Sequence, residues 1–101
     1  MKVHILSCAE QEFGGTVDLY NSQRPGLGYE FAAEVKVTLG RIVSFPDAWP
    51  LYSSRARRCI MSRFPYGVLY QLRDDGILVI AVMHLRREPT RWKERLKAAG
   101  A

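Results

Sequence analysis

The chain is expected to fold as an α+β domain, with an N-terminal helical hairpin packed on an antiparallel sheet and a short C-terminal helix. Three observations carry this expectation. Apolar residues recur at helical spacing in two stretches before residue 45, two strand-like apolar runs flank a turn sequence between residues 66 and 84, and a basic segment opening at Pro89 returns to helical spacing. The 101 residues suffice for one modest core and not two, so residues 1–101 are read as one domain.

Residues 2–6 form a short strand candidate with Val3 and Ile5 on one face. Ser7 and Glu10 have the spacing of a capping box, in which hydroxyl and carboxylate each satisfy an orphan amide of a starting helix. Phe13, Val17 and Tyr20 then share one helical face. Gly14 and Gly15 oppose that helix by about 1 kcal/mol each relative to alanine, so a local bend is expected there. The breaker cluster Arg24-Pro25-Gly26-Leu27-Gly28 ends it. A second helix follows over residues 29–43, where Phe31, Val35, Leu39 and Ile42 recur at helical spacing, and Pro46 stops it. Residues 45–56 hold two prolines and read as an irregular connector, with Trp49 folded back as an apolar plug.

In residues 57–63, Cys59 and Met61 alternate with Arg58, Ile60 and Ser62, the pattern of a strand with unlike faces. Residues 66–72 and 77–84 are rich in β-branched and aromatic side chains, and Arg73-Asp74-Asp75-Gly76 supplies hairpin turn chemistry between them. Residues 77–83 are continuously apolar, which predicts a central strand covered on both faces. Pro89 suits the first turn of a final helix, packed through Trp92 and Leu96. The predicted order is β-α-α-β-β-β-α.

A composition of 48% hydrophobic and 25% charged residues excludes a disordered chain. No apolar run reaches the roughly 18 residues that a bilayer requires, and the N-terminus lacks a secretory leader, so the expected location is the cytoplasm. Cys8 and Cys59 are far apart and show no metal spacing; both are expected to be reduced, buried and non-catalytic. No metal or cofactor is expected. Charge is divided unevenly: before Ser54 there are four Lys/Arg against six Asp/Glu, after it eleven against four. The formal +5 therefore belongs to the C-terminal half, which favours an acidic or polyanionic partner.

Four segments in order, YNSQRPGLGYEF at residues 20–31, PDAWP at 46–50, RRCIMSRFPYGVLY at 57–70 and AVMHLRREPTRWKERL at 81–96, resemble the RelE/ParE superfamily of type II toxin–antitoxin toxins. The match is closer in motif to the ParE-like members. The resemblance implies a small growth-inhibiting bacterial toxin, of the kind concerned with plasmid stabilisation, held inactive by a cognate antitoxin with which it forms a hetero-oligomer. Two target classes are implied, DNA gyrase for ParE-like members and ribosome-bound mRNA for RelE-like endonucleases, and the fold alone does not choose between them. A third reading is a non-toxic homologue that only binds antitoxin.

Metal-independent RNA cleavage by the 2′-oxygen needs a proton acceptor, cations for the phosphorane charge and a proton donor for the leaving oxygen. In RelE-like nucleases the resemblance implies Lys and Arg on the sheet, then an Arg and a later Tyr. Here Arg86 or Arg87 fits the late arginine, but Trp92 stands where the tyrosine is sought. The sheet segment offers Arg55, Arg57, Arg58 and Arg63 without a lysine, and arginine is a poor proton-transfer group. The nuclease candidates are His84, Arg58 and Arg86, with His84 otherwise expected to end a buried strand and bond to the C-terminal helix. For target or antitoxin binding the candidates are Arg55, Arg57, Arg58, Arg63, Arg86, Arg87, Arg91 and Trp92. Tyr66, Tyr70 and Trp49 are read as packing residues, and the leading function is a gyrase-directed toxin without a complete nuclease site.

Overall fold

A computed structural model of the chain describes residues 1–86 and 89–98, with residues 89–93 described as backbone alone. The elements are β1 (Lys2–Ile5), α1 (Ser7–Gln23), α2 (Leu27–Ser44), β2 (Arg57–Ile60), β3 (Tyr66–Arg73), β4 (Gly76–His84) and α3 (Pro89–Ala98). The α+β class and element order are those predicted. The sheet runs β1-β4-β3-β2. Its β2–β3 and β3–β4 pairs are antiparallel, whereas β1 lies parallel to β4, so the sheet is mixed. A tight turn imposes antiparallel pairing only on the strands it joins; β1 is followed by a helical hairpin, and four residues of pattern carry no direction.

The Ser7 capping box does not form. Leu6 is the N-cap of α1 and no side chain caps the helix. The cause lies in the sheet: the Leu6 amide extends the β1–β4 pairing by donating to the Val79 carbonyl at 3.1 Å. The chain thus passes directly from strand to helix, and Ser7 already lies within the first turn. Nor do Gly14 and Gly15 interrupt α1. Both face open space, and Phe13, Val17 and Tyr20 hold the opposite side against the core.

Gly28 is where α2 meets α1. A β-carbon there would run into the Val17 carbonyl and the Asn21 side chain, and the Gly28 amide donates to Asn21 Oδ1 at 2.8 Å. This close approach lets α2 begin at Leu27, two residues before the helical spacing does.

The helical hairpin covers one face of the sheet. An aromatic group of Phe31, Phe64 and Tyr66 packs there with Phe13 and Tyr20, and next to it Ile42, Cys59, Val68, Tyr70 and Val79 are buried with Trp49 as the predicted plug. The opposite face buries Leu69, Ile80, Ala81 and Met83 under Leu96 of α3, Ala56 and Tyr52. Both faces of β4 are therefore covered, which accounts for its unbroken apolar run. A register shift at Leu69/Tyr70 leaves Ile80 as the extra residue of a β-bulge, so Val79 and Val82 both face the hairpin while Ile80 and Ala81 both face α3.

Both cysteines are free thiols. Cys59 is fully buried and its pKa is raised by that burial, whereas Cys8 is only half-buried, a departure from the expected burial of both. Cys8 stands on the first turn of α1, next to the core residue Ala9 rather than on the inward face.

Candidate functional site

The arginines that the sequence groups as one basic zone are separated by the sheet. Arg55, Arg57 and Arg73 lie where β2 begins and β3 ends, whereas Arg63, His84 and Arg86 lie at the opposite end. Six residue steps along β3 lead from the Tyr66–His84 pair to the Leu72–Ile77 pair, so the two ends are about 20 Å apart at the usual strand rise.

At the first end, Arg57 donates from Nη1 to the Trp49 carbonyl at 2.7 Å. Arg55 is exposed. Arg73 donates through Nε to Gln71 Oε1 at 2.9 Å and through Nη2 to the same oxygen. These side chains, with Asp47, Leu51, Ser54 and Leu72, line a cleft of about 440 Å³. Sequence reading assigned Arg73 only to turn chemistry and passed over Gln71 and Asp47. The period of two along β3 aligns Leu69, Gln71 and Arg73, and that was the available signal.

At the other end, Arg63 pairs with Glu30 of α2 at 2.8 Å and lies over the Phe64 ring at 5.5 Å. Glu30 also meets Arg24 at 3.3 Å, and its carboxyl is held below the ordinary value chiefly by the Arg63 hydrogen bond, with the charges of Arg24 and Arg63 adding to it. His84 is half-buried with its ring edge-on to Tyr66 at 5.0 Å. Its Nδ1 accepts from the Arg86 backbone amide at 3.1 Å, so it bonds to the turn after β4 rather than to the C-terminal helix. The Arg86 side chain is exposed.

Arg58 stands apart from both ends, its guanidinium 5.2 Å from the Tyr52 ring centre. Its neighbour Cys59 faces the helical hairpin, so strand alternation turns Arg58 to the α3 face, where Tyr52 packs. His84 and Tyr66 belong to the hairpin face. The nuclease candidates His84 and Arg58 are thus on opposite faces of the sheet. Arg87 lies outside the described residues, as do the side chains of Arg91 and Trp92.

On the hairpin side, a second and apolar recess of about 160 Å³ opens between β1, α1, α2 and the sheet. Ile5, Ala9, Phe13, Val35 and Leu39 line it, together with Glu10 and Lys36. Val3 and Ile5 of the edge strand β1 are exposed close to it, an apolar edge of the kind that accepts another chain. No helix among the described residues is long and apolar enough to cross a membrane.

No family model and no curated protein matches the sequence. Among solved structures, the chain is similar to one titled "Chromosomal ParDE TA system from P. aeruginosa", with a TM-score of 0.69 over 85% of this chain and 97% of that one. Identity is 11%, so what the two share is the fold.

Proposed function

We propose that this chain is a ParE-like toxin of a type II toxin–antitoxin system, neutralised by a cognate antitoxin and directed at DNA gyrase. The observation that carries the reading is the fold it shares with a chain of a ParDE system across 85% of its length. Two features of the molecule agree with it. The apolar recess beside the exposed β1 edge offers a seat for an antitoxin segment bearing apolar side chains, with Lys36 available to an acidic residue. Of the groups that RNA cleavage would need, Arg58 is turned away from His84 and Arg63 is occupied by Glu30, which leaves Arg86 as the candidate cation beside His84. Growth inhibition on this reading comes from binding a macromolecular target in the cytoplasm and needs no cofactor. Arg86, with Arg87, Arg91 and Trp92, is the proposed contact region at the C-terminal end.

Controlled induction tests the proposal. Expression should arrest growth, a short reading frame is expected overlapping or immediately upstream of this one and co-expression of its product should relieve the arrest, and the arrested cells should accumulate DNA damage with transcripts intact. Codon-positioned cuts in mRNA by primer extension would replace gyrase with the ribosome. Antitoxin binding without arrest would identify a non-toxic homologue.

A further inference from the structure

We infer that the apolar recess between β1, α1 and α2 seats a single apolar side chain of a partner polypeptide, flanked in that partner by a basic residue on one side and an acidic residue on the other, and that Glu10 and Lys36 select it. That the partner is the antitoxin rests on the toxin reading, whereas its chemistry rests on the recess. Glu10 stands on α1 and Lys36 on α2, and both are exposed, so the recess has one acidic lip and one basic lip. Neither side chain forms an ion pair among the described residues.

The recess is a gap in the packing of the helical hairpin. At their connected end α1 and α2 meet closely, where the Gly28 amide bonds to Asn21. Beyond that contact Ala9 and Ala32 present only methyl groups, and about 160 Å³ stays open above Val68, Val79 and Val82 of the sheet. Close-packed interiors rarely leave such a volume. Water is poorly held against these hydrocarbon walls, since an ordered water needs two or more polar partners. An apolar cavity of about 150 Å³ takes one benzene ring, so the recess has room for one Phe, Leu, Ile or Met side chain and not for two.

The lips and the neighbouring strand select a polypeptide. A free hydrocarbon would fill the recess and leave both charges unused, whereas the neighbours of an apolar residue in a chain can set a cation against Glu10 and an anion against Lys36. Charges at a wet rim add little affinity, but a partner with either sign reversed is repelled. The pair therefore discriminates among partners more than it holds them. Ile5 joins the recess to the outer edge of the sheet, because it lines the one and belongs to β1 at the other. An edge strand keeps one row of main-chain groups without a strand partner, and a polypeptide anchored in the recess can continue that pairing.

Panning a phage-displayed library of random peptides, each about 16 residues long, against the full chain tests the site. Enriched clones should carry one large apolar residue with a basic residue on one side of it and an acidic residue on the other. Ala32→Leu, which puts a larger side chain into the recess, should weaken their synthetic peptides by about 10-fold or more. Lys36→Glu should weaken them about 5- to 20-fold, whereas Lys97→Glu, the same change of charge on exposed α3 surface, should leave them unchanged. In Glu10→Lys/Lys36→Glu the lips exchange signs, so a peptide with its two flanking charges exchanged should bind better than the parent peptide. Thermal melts establish that each variant is folded, and Lys36, being exposed, carries the test if Ala32→Leu is not. Failure to enrich any clone, full affinity in folded Ala32→Leu, or equal losses in Lys36→Glu and Lys97→Glu would overturn the inference. Self-association of the wild-type chain that Ala32→Leu abolishes would also overturn it, in favour of a second copy as the occupant. Absence of growth arrest on induction fails the toxin reading alone and leaves the peptide binding as it is.

Discussion

Arg95 of α3 donates from Nη1 to Glu12 Oε1 of α1 at 2.8 Å, joining the helices that lie on opposite faces of the sheet. The same nitrogen reaches the Ile80 carbonyl at 3.3 Å, on β4 just past Val79, where β1 has already ended. One side chain therefore closes the open edge of β4 and fastens α3. Both partners are largely buried, with 16% and 17% of their side-chain surfaces exposed. Removing one member leaves the other charge poorly solvated, so Arg95→Leu should cost about 2–3 kcal/mol, below the range for fully buried pairs. The double variant Arg95→Leu/Glu12→Leu should be less destabilised than the sum of the singles. Urea unfolding of the four proteins measures the coupling; strict additivity would show that the pair contributes nothing.

Gly76 holds β1 on the sheet. Its φ is +150°, and a β-carbon there would run into the Lys2 backbone. Gly76→Ala should therefore displace β1, lowering the melting temperature and releasing exchange protection of the amides in residues 2–6 ahead of the rest of the sheet. Gly15→Ala is the counterpart: the position is helical and faces open space, so about 0.5–1 kcal/mol of stabilisation is expected. Equal effects of the two substitutions would show that the Gly76 conformation is not required.

The parts of the fold that the sequence made legible are those in which one local pattern has one cause. The β3–β4 hairpin follows from two apolar runs around Asp74-Asp75-Gly76, and β4 had to be central because no solvated strand stays apolar over residues 77–83. Parallel pairing of β1, the Leu6 cap and the Ile80 bulge were not legible, because each depends on which distant backbone group is opposite. The candidate site was less legible still. Composition revealed that residues 55–87 are rich in arginine, but Cys59 turns Arg58 toward α3 while Glu30, 33 residues away from Arg63, holds that side chain. Such separations and pairings are properties of the folded sheet rather than of spacing.

Tyr70 connects the β3 core to the connector, its hydroxyl donating to the Pro46 carbonyl at 2.5 Å. Its pKa is pushed up to about 12, mainly by burial, against the opposing charge of Arg57. Between pH 10 and about 12 the unfolded chain gives up a proton that the folded chain retains, so stability falls as pH rises through that window and is at its full value below it. Tyr20, also raised by burial, acts in the same direction. Tyr70→Phe should lose about 1 kcal/mol near pH 8, where the Pro46 carbonyl loses its donor, and should show a shallower decline above pH 10. Chemical unfolding at pH 8, 10 and 11 compares the two slopes, and identical slopes would remove Tyr70 as the source.

His84 separates binding from catalysis. Its Nδ1 is engaged by the Arg86 amide, which leaves Nε2 as the position from which a proton could be moved. Gln can keep an acceptor for that amide and a donor beyond it, but it cannot shuttle a proton near neutral pH. If the chain arrests growth by binding its target, His84→Gln should retain most of the arrest, whereas charge removal at the exposed Arg86 should weaken it. Loss of general acid–base help typically lowers a rate by about 10²- to 10⁴-fold, enough to restore growth on induction. A folded, normally expressed His84→Gln protein that no longer arrests cells would therefore overturn the binding reading and assign His84 to RNA cleavage, with the cations it needs supplied from the β4–α3 turn rather than from Arg58 on the opposite face.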